Sequence, residues 1–199
     1  MSEQAVTRMS VEDFLEWGLH QELRYELVEG VPVAMAGAKR QHDQIVANVH
    51  GMLYNLLRGH ECRQFTADLA VRIPMGNVRR PDAGIDRGAP DDDATTAIAP
   101  IFVLEVLPPS TRDFEMFGKL EEYKTVATLA HIVIVDPDTP QVYHWSRLQN
   151  EAWRHELLAG LDAVIQLPEV AGAIDLASLY EGLTFRPLPR LVREGEASA

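Results

Sequence analysis

The sequence predicts a mixed fold of helices and strands, α/β (α+β), from two observations. Two segments, residues 40–58 and 112–126, carry apolar side chains at the three- and four-residue steps of amphipathic helices. Short apolar runs typical of strands lie between and after them, and the runs that follow His131 are close enough together to form an antiparallel meander. With 199 residues, the chain is long enough for one domain with a sizeable core.

Composition also predicts how the chain is organised. We expect a loose leader over residues 1–9, a single domain over 10–183 and a basic, partly disordered tail over 184–199. No run reaches the roughly 18 apolar residues of a membrane span, and the N-terminus lacks the pattern of a signal peptide. The single cysteine, Cys62, excludes an internal disulfide and a cysteine-rich zinc site. These features predict a cytoplasmic protein.

The front of the domain is predicted to be a helix followed by a hairpin and then the first long helix. Ser10 and Asp13 form a capping pattern that begins a short helix. The runs 24–28 and 31–35 flank Gly30, which supplies the positive φ of a hairpin turn.

The rest of the chain is predicted element by element. Residues 63–73 alternate as one strand, and a strand-like run at 83–86 precedes the buried strand 101–107. The second long helix is expected to bury four side chains: Met116, Phe117, Leu120 and Tyr123. The meander then comprises runs 131–135, 141–145, 153–158 and 164–167, and a last helix covers 174–180.

Glu105 is an ionisable residue inside an apolar strand. A buried carboxylate costs several kcal/mol unless it is paired, hydrogen-bonded or bound to a metal. Asp82, at the start of the neighbouring strand-like run, is the nearest strong candidate to share a cation with it, since adjacent strands lie about 4.8 Å apart. We therefore hypothesise a magnesium site at Asp82 and Glu105.

Three further residues each allow two interpretations. Glu26, in the first strand of the hairpin, is either a solvent-facing strand residue or a third carboxylate at the site. Lys119, in the second long helix, either extends over the core into water or aims its ammonium at Asp82 and Glu105. His42, in the first turn of the first long helix, is either structural or in contact with substrate.

The net charge of the chain bears on whether it binds nucleic acid. The formal net charge of −12 argues against a broad basic surface for nucleic acid. An acidic loop at 91–93 supplies part of that charge, and a bound metal would add local positive charge. Seven basic residues cluster in sequence around the segments of the hypothesised site: Lys39, Arg40, Arg79, Arg80, Arg112, Lys119 and Lys124.

Several motifs resemble the Uma-two family of restriction-type endonucleases, which belongs to the PD-(D/E)xK nuclease superfamily. The resemblance spans roughly residues 10–183 and depends on the joint spacing of its pieces. These are Arg24–Gly30, Gln41–His42, Arg80–Asp82, Val103–Thr111, Asp113, Lys119, Tyr123 and Ile134–Pro137. The resemblance implies a restriction-endonuclease-like core, with a central mixed sheet flanked by helices.

The resemblance also implies roles at the site. Asp82 and Glu105 would be the metal-binding carboxylates, and Glu26 the upstream acid. The usual motif has lysine two residues after its second acid, where this chain has Leu107. Lys119 stands where that lysine lies once it has moved to the following helix.

The expected activity is that of a Mg²⁺-dependent endodeoxyribonuclease, with Mn²⁺ as a possible substitute and DNA as its substrate. The Val106 carbonyl would complete the metal's protein ligands. Gln41, His42 and Arg80 are the candidate substrate-binding residues. A homodimer would provide two sites for two strands.

Two alternatives stay open at this level. One keeps the nuclease fold as a catalytically inactive domain that binds or dimerises. The other is an interaction module in which Glu105 and Lys119 form a buried ion pair and the exposed sheet edge of the back half pairs with a second copy.

Overall fold

The computed structural model of the protein describes residues 8–35, 37–107 and 114–185. No helix within these ranges is long and apolar enough to cross a bilayer. The helices are α1 Val11–Gly18, α2 Arg40–Leu56, α3 Phe114–Lys124 and α4 Leu176–Leu179, with a 3₁₀ turn, η1, at Pro168–Val170. The strands are β1 Tyr25–Val28, β2 Val31–Ala34, β3 Arg63–Thr66, β4 Val71–Arg72, β5 Val78–Arg79, β6 Ala83–Asp86, β7 Pro100–Val106, β8 His131–Asp136, β9 Gln141–Arg147, β10 Trp153–Ala159, β11 Val164–Leu167 and β12 Gly172–Asp175.

A six-stranded mixed sheet forms the centre of the fold. Its order is β10-β9-β8-β7-β6-β3, with β7 and β8 parallel and the other neighbours antiparallel. A four-stranded sheet, β2-β1-β5-β4, lies beside it, and β11 pairs with β12 alone. This arrangement confirms the predicted restriction-endonuclease-like α+β core and its C-terminal antiparallel meander of β8, β9 and β10.

Helices cover both faces of the central sheet because each has an apolar stripe. Ile45, Val49 and Leu53 of α2 are fully buried at the spacing of one helix face, and they pack with the inward residues of β6 to β9 and with β11 and β12. Leu120 and Tyr123 of α3 pack against the other face. The helix α1 covers the small sheet separately.

Two strand predictions were wrong. Residues 63–73 form two strands, β3 and β4, in different sheets, because a turn in which the Leu69 N–H donates to the Thr66 carbonyl (3.0 Å) redirects the chain. The strand β11 does not extend the meander. Its apolar side chains, Ile165 and Leu167, are buried in the core that α2 covers, so alternation alone indicated a strand but not its partner.

Two details of the helices also differ from expectation. Phe117 of α3 is 65% exposed rather than buried, because the face that packs on the sheet is set by Leu120 and Tyr123. The predicted last helix begins later, at Leu176, since Ile174 lies in β12. Met116 and the proline-rich stretch before α3 lie outside the described side chains.

Both ends of the described chain contact the fold. The Met9 N–H donates to the Gly30 carbonyl at 2.8 Å. Phe185 packs edge-on against Tyr180, with ring centroids 5.4 Å apart. The domain limits of 10 and 183 stay predictions, and most of the predicted tail lies outside the described residues.

Candidate active site

Asp82 and Glu105 come together where β6 and β7 pair. These strands are antiparallel, with Ala83 opposite Leu104, so the next residue on each strand lies beside the other. The Val106 N–H donates to Oδ2 of Asp82 at 2.8 Å, which fixes that carboxylate against the end of β7. The convergence of the two acids predicted from the sequence is therefore present.

Glu105 is buried and held through one of its oxygens. Its Oε1 accepts a hydrogen bond from the Tyr123 hydroxyl (2.7 Å) and one from Lys119 Nζ (3.4 Å). Burial raises the pKa of Glu105 to about 7; the Lys119 ammonium opposes this rise, and the nearby Asp82 and Glu26 carboxylates add to it. The site holds more negative charge than its own cations neutralise at this position.

Glu26 is buried, so its interpretation as a solvent-facing residue was wrong. Its Oε1 accepts hydrogen bonds from Lys119 Nζ (2.9 Å) and the Arg80 backbone N–H (3.0 Å), and its Oε2 accepts one from Arg79 (3.0 Å). Burial alone would raise the pKa of Glu26, but these partners outweigh it and the pKa lies below its usual value. Glu26 is thus an ionised carboxylate inside the protein.

Lys119 bridges the upstream acid and the acid of β7. It contacts Glu26 and Glu105, and no contact with Asp82 is present, so the interpretation of an inward ammonium holds for one of its two expected partners. Burial would lower the pKa of Lys119, but the two carboxylates raise it well above the usual value. The group stays an ammonium and does not act as a base.

Arg79 continues this pattern beyond Glu26. Its guanidinium also donates two hydrogen bonds to Glu122 of α3, at 2.6 and 2.9 Å. The result is an alternating chain of charges that we call the ion-pair chain: Glu122, Arg79, Glu26, Lys119 and Glu105. It links the small sheet, the helix α3 and the central sheet.

His42 lies against Asp82 from the first turn of α2. Its Nε2 is 3.2 Å from Oδ2 of Asp82. Burial would lower the pKa of His42, but the hydrogen bond to Asp82 and the charges of Asp82, Glu105 and Asp43 raise it above the usual value. Gln41 precedes it in the same turn.

Arg80 is largely engaged with the backbone. Its Nε donates to the Tyr25 carbonyl, and its Nη1 donates to the carbonyls of Ala67 and Asp68. Together with the backbone bond to Glu26, these contacts anchor the segment that delivers Asp82. Substrate binding by Arg80 stays a prediction.

A cleft of about 820 Å³ opens beside the point where Asp82 and Glu105 meet. His42, Arg80 and Asp82 line one part of it, and the helix α1 with the segment after it lines another. Asp82 therefore borders a space open to a ligand, whereas Glu105 lies behind it.

Two contributors to the site were not predicted as such. Tyr123 appeared as a core residue of α3 and as one of the residues that carry the family resemblance, without a role at the site, and Glu122 was not considered. Both follow Lys119 by three or four positions, which places them one helical turn further along a similar side of α3. The spacing of Lys119, Glu122 and Tyr123 was the sequence feature that could have identified both residues. The pairing of Glu122 with Arg79 could not have been found in this way, because the two residues lie 43 positions apart and no local pattern joins them.

The fold is of the restriction-endonuclease-like class. A solved structure entitled a "putative nuclease belonging to DUF820" from Anabaena variabilis superposes with a TM-score of 0.69 at 18% identity, covering 86% of this chain and 97% of that one. At this identity the likeness is one of fold.

The chain belongs to the Uma2 family, whose description is "Putative restriction endonuclease" and whose sequence model matches residues 11–178. Two uncharacterized proteins of Synechocystis sp. are similar to it. One is 25% identical over 89% of this chain and 94% of its own length. The other is 23% identical over 71% of this chain and 82% of its own length.

Proposed function

We propose that this protein is a metal-dependent endonuclease that hydrolyses DNA phosphodiester bonds, with Mg²⁺ or Mn²⁺ held at Asp82 and Glu105. The observation that carries the proposal is the charge balance of the site. Four carboxylates, those of Glu26, Asp82, Glu105 and Glu122, face the two permanent cations Arg79 and Lys119. A divalent cation would offset the negative charge that remains, which is less than two units because Glu105, with a pKa of about 7, is partly protonated at neutral pH and the pKa of His42 is raised.

The donor atoms fit a hard cation such as Mg²⁺. Among the described residues, the hydrogen bonds to Glu105 fall on Oε1 and those to Asp82 on Oδ2, which leaves Oε2 and Oδ1 for a ligand. No three His, Cys, Asp or Glu side chains in the described ranges converge into a complete cage. This suits Mg²⁺, which keeps several waters and binds through one or two carboxylates; the Val106 carbonyl is the proposed third protein ligand.

The chain's own groups have distinct tasks in this proposal. When bound, the metal would polarise the phosphate and lower the pKa of a water. Lys119, fixed between Glu26 and Glu105, supplies a permanent positive charge that stabilises negative charge in the transition state. Glu26 and Tyr123 position that ammonium and the Glu105 carboxylate.

DNA would approach through the cleft beside Asp82. His42 borders it from the first turn of α2, where unsatisfied backbone N–H groups favour a phosphate. The raised pKa of His42 favours its cationic form, which also suits an anion. Gln41 and Arg80 are proposed to assist. The cytoplasmic location and the homodimer stay predictions.

The test is cleavage of supercoiled plasmid and of single-stranded DNA by the full chain with Mg²⁺, Mn²⁺ or a chelator. We expect metal-dependent nicking by the native protein and a loss of at least about 100-fold in Asp82→Ala and Glu105→Gln. Glu121→Gln is the matched control, because Glu121 is an exposed acid of α3 whose ion pair within the described ranges is with Lys124. Circular dichroism checks that each variant is folded.

Thermal melting provides a second readout that does not need activity. A ligand that binds only the native state raises the melting temperature. We expect Mg²⁺ or Mn²⁺ to raise that of the native protein and of Glu121→Gln, but not that of Asp82→Ala. Nicking by Glu105→Gln at the native rate would contradict the assigned site.

A second candidate function rests on the direct contact between Lys119 and Glu105. A buried pair of this kind is what a non-catalytic interaction module would contain. This candidate predicts no nicking of any of these substrates and no effect of metal on the melting temperature of the folded native protein.

A further inference from the structure

The outer edge of β10 is the long open edge of the central sheet. β10 pairs with β9 along all seven of its residues without a bulge, and no strand in the described part of the chain pairs with its other side. The edge at the opposite end of the sheet, β3, is only four residues long. Proteins usually protect sheet edges by short length, proline, a bulge or charged side chains, and of these β10 has only charged side chains, Arg154 and Glu156.

Hydrogen bonding shows which backbone groups of β10 face outward. The β9–β10 ladder is bracketed by the Leu148 N–H, which donates to Ala152 O (2.8 Å), and the Gly160 N–H, which donates to Pro140 O (2.9 Å). Because antiparallel ladders alternate bonded and non-bonded pairs, the even-numbered residues of β10 bond to β9. The outward N–H and C=O groups then belong to Trp153, His155, Leu157 and Ala159.

The side chains of β10 are complementary to a second copy of the same strand. Arg154 and Glu156 lie on one face on either side of His155, both are exposed, and they carry opposite charges. Antiparallel pairing centred on His155 places each Arg154 directly opposite Glu156 of the second copy. A slip of two residues along the partner instead sets Arg154 against Arg154, or Glu156 against Glu156, which is unfavourable.

The other face of β10 supports the same register. There, Trp153 comes opposite Leu157 of the second copy, and Leu157 is 50% exposed in the single chain. The outward groups of Trp153, His155 and Leu157 then form about six backbone hydrogen bonds with the second copy.

We propose that two copies of this chain pair antiparallel along β10, with the two-fold axis at His155. The pairing joins the two central sheets into one continuous sheet. The two Glu105 residues are then separated by seven strand spacings, or about 34 Å across the sheet, so each active site is complete within its own chain. Failure of this proposal would leave the proposed nuclease activity untouched.

Cysteine cross-linking tests the register. In His155→Cys the two Cα atoms lie about 5.5 Å apart across the axis, within disulfide range, so we expect a covalent dimer on mild oxidation. In the matched control Leu157→Cys, the two cysteines lie about 13 Å apart along the strands and should stay unlinked. The native Cys62 is buried and contributes little background. Linking of Leu157→Cys in preference to His155→Cys would overturn the proposal.

Charge exchange tests the pairing without a cross-link. By analytical ultracentrifugation from micromolar concentration upward, we expect the native chain to dimerise, and Arg154→Glu or Glu156→Arg alone to raise the dimer dissociation constant at least about tenfold. The double variant Arg154→Glu with Glu156→Arg should recover the native constant. His155→Pro removes an outward N–H without touching the β9 ladder and should be monomeric. A native chain that stays monomeric at every concentration, or a double variant that fails to recover, would overturn the proposal.

Discussion

Two buried polar networks lie on opposite faces of the central sheet, and they differ in how their charges are balanced. The ion-pair chain lies on the α3 face and has excess negative charge. On the α2 face, both ring nitrogens of His131 are hydrogen-bonded, one to His144 (2.9 Å) and one to Glu169 (2.6 Å). We call these three residues the histidine cluster.

One titratable group in each network has a strongly shifted pKa: His144 in the histidine cluster and Glu105 in the ion-pair chain. Burial, reinforced by the charge of His131, lowers the pKa of His144 to about 4, so that ring is neutral at pH 7. Burial likewise raises the pKa of Glu105 to about 7; the Lys119 ammonium opposes this rise, and the Asp82 and Glu26 carboxylates add to it. Burial therefore favours the neutral form in both networks. What differs is the neighbouring charge, which is negative around Glu105 and positive around His144.

The largest expected effect comes from removing the cation of the ion-pair chain. Lys119→Met leaves Glu26 and Glu105 buried without their shared partner, and we expect a loss of about 3–5 kcal/mol in the free energy of unfolding. The measurement is urea denaturation at pH 7.

Lys124→Met is the control for that experiment. Lys124 lies on the same helix but pairs with the exposed Glu121, so its loss should cost less than about 1 kcal/mol. Similar losses in both variants would show that the ion-pair chain stabilises no more than a surface pair.

The pH dependence of stability should have opposite signs for the two networks. The folded pKa of Glu105 lies above its ordinary value of 4.5, so its contribution is present at low pH and is lost as pH rises from 4.5 to 7. The folded pKa of His144 lies below its ordinary value of 6.5, so its contribution is present above 6.5 and is lost as pH falls to 4. Each accounts for up to about 3 kcal/mol.

Single variants separate these two contributions. In chelator, the free energy of unfolding of Glu105→Gln should rise more steeply between pH 5 and 7 than that of the native protein. Over the same pH range, the free energy of unfolding of His144→Gln should rise less steeply than that of the native protein, or fall. Identical pH profiles for the two variants would refute the contrast between the networks.

The smallest effect is expected in the histidine cluster itself. Glu169→Gln keeps an oxygen that accepts from His131 and removes only a partly exposed charge, so the free energy of unfolding should change by less than about 1 kcal/mol. Thermal or urea unfolding at pH 7 measures it. A loss comparable to that of Lys119→Met would show that the cluster depends on charge as strongly as the ion-pair chain does.

The local sequence pattern was enough to predict some residues of the candidate site but not all of them. Glu105 was recognisable because a charge inside an apolar strand demands a partner, and Lys119 and Tyr123 supply it. The pairing of β6 with β7 places Asp82 beside it, as expected. The hairpin containing Glu26 was equally clear, since four consecutive residue pairs join β1 to β2.

Long-range packing determined the features that the local sequence pattern could not predict. Alternation marked Glu26 as outward on its strand, yet α3 and Arg79 cover that side, and only the assembled fold shows this. Similarly, the apolar sequence 63–73 reads as one strand because nothing local reveals that its halves join different sheets. The three aspartates of residues 91–93, which supply part of the acidic net charge, are exposed.

The ion-pair chain draws its members from three parts of the fold: Glu26 and Arg79 from the small sheet, Glu105 from the central sheet, and Lys119 with Glu122 from α3. During synthesis, a chain still missing α3 holds its acids without the lysine that unites them. The arrangement of these charges is therefore acquired only when the fold is complete.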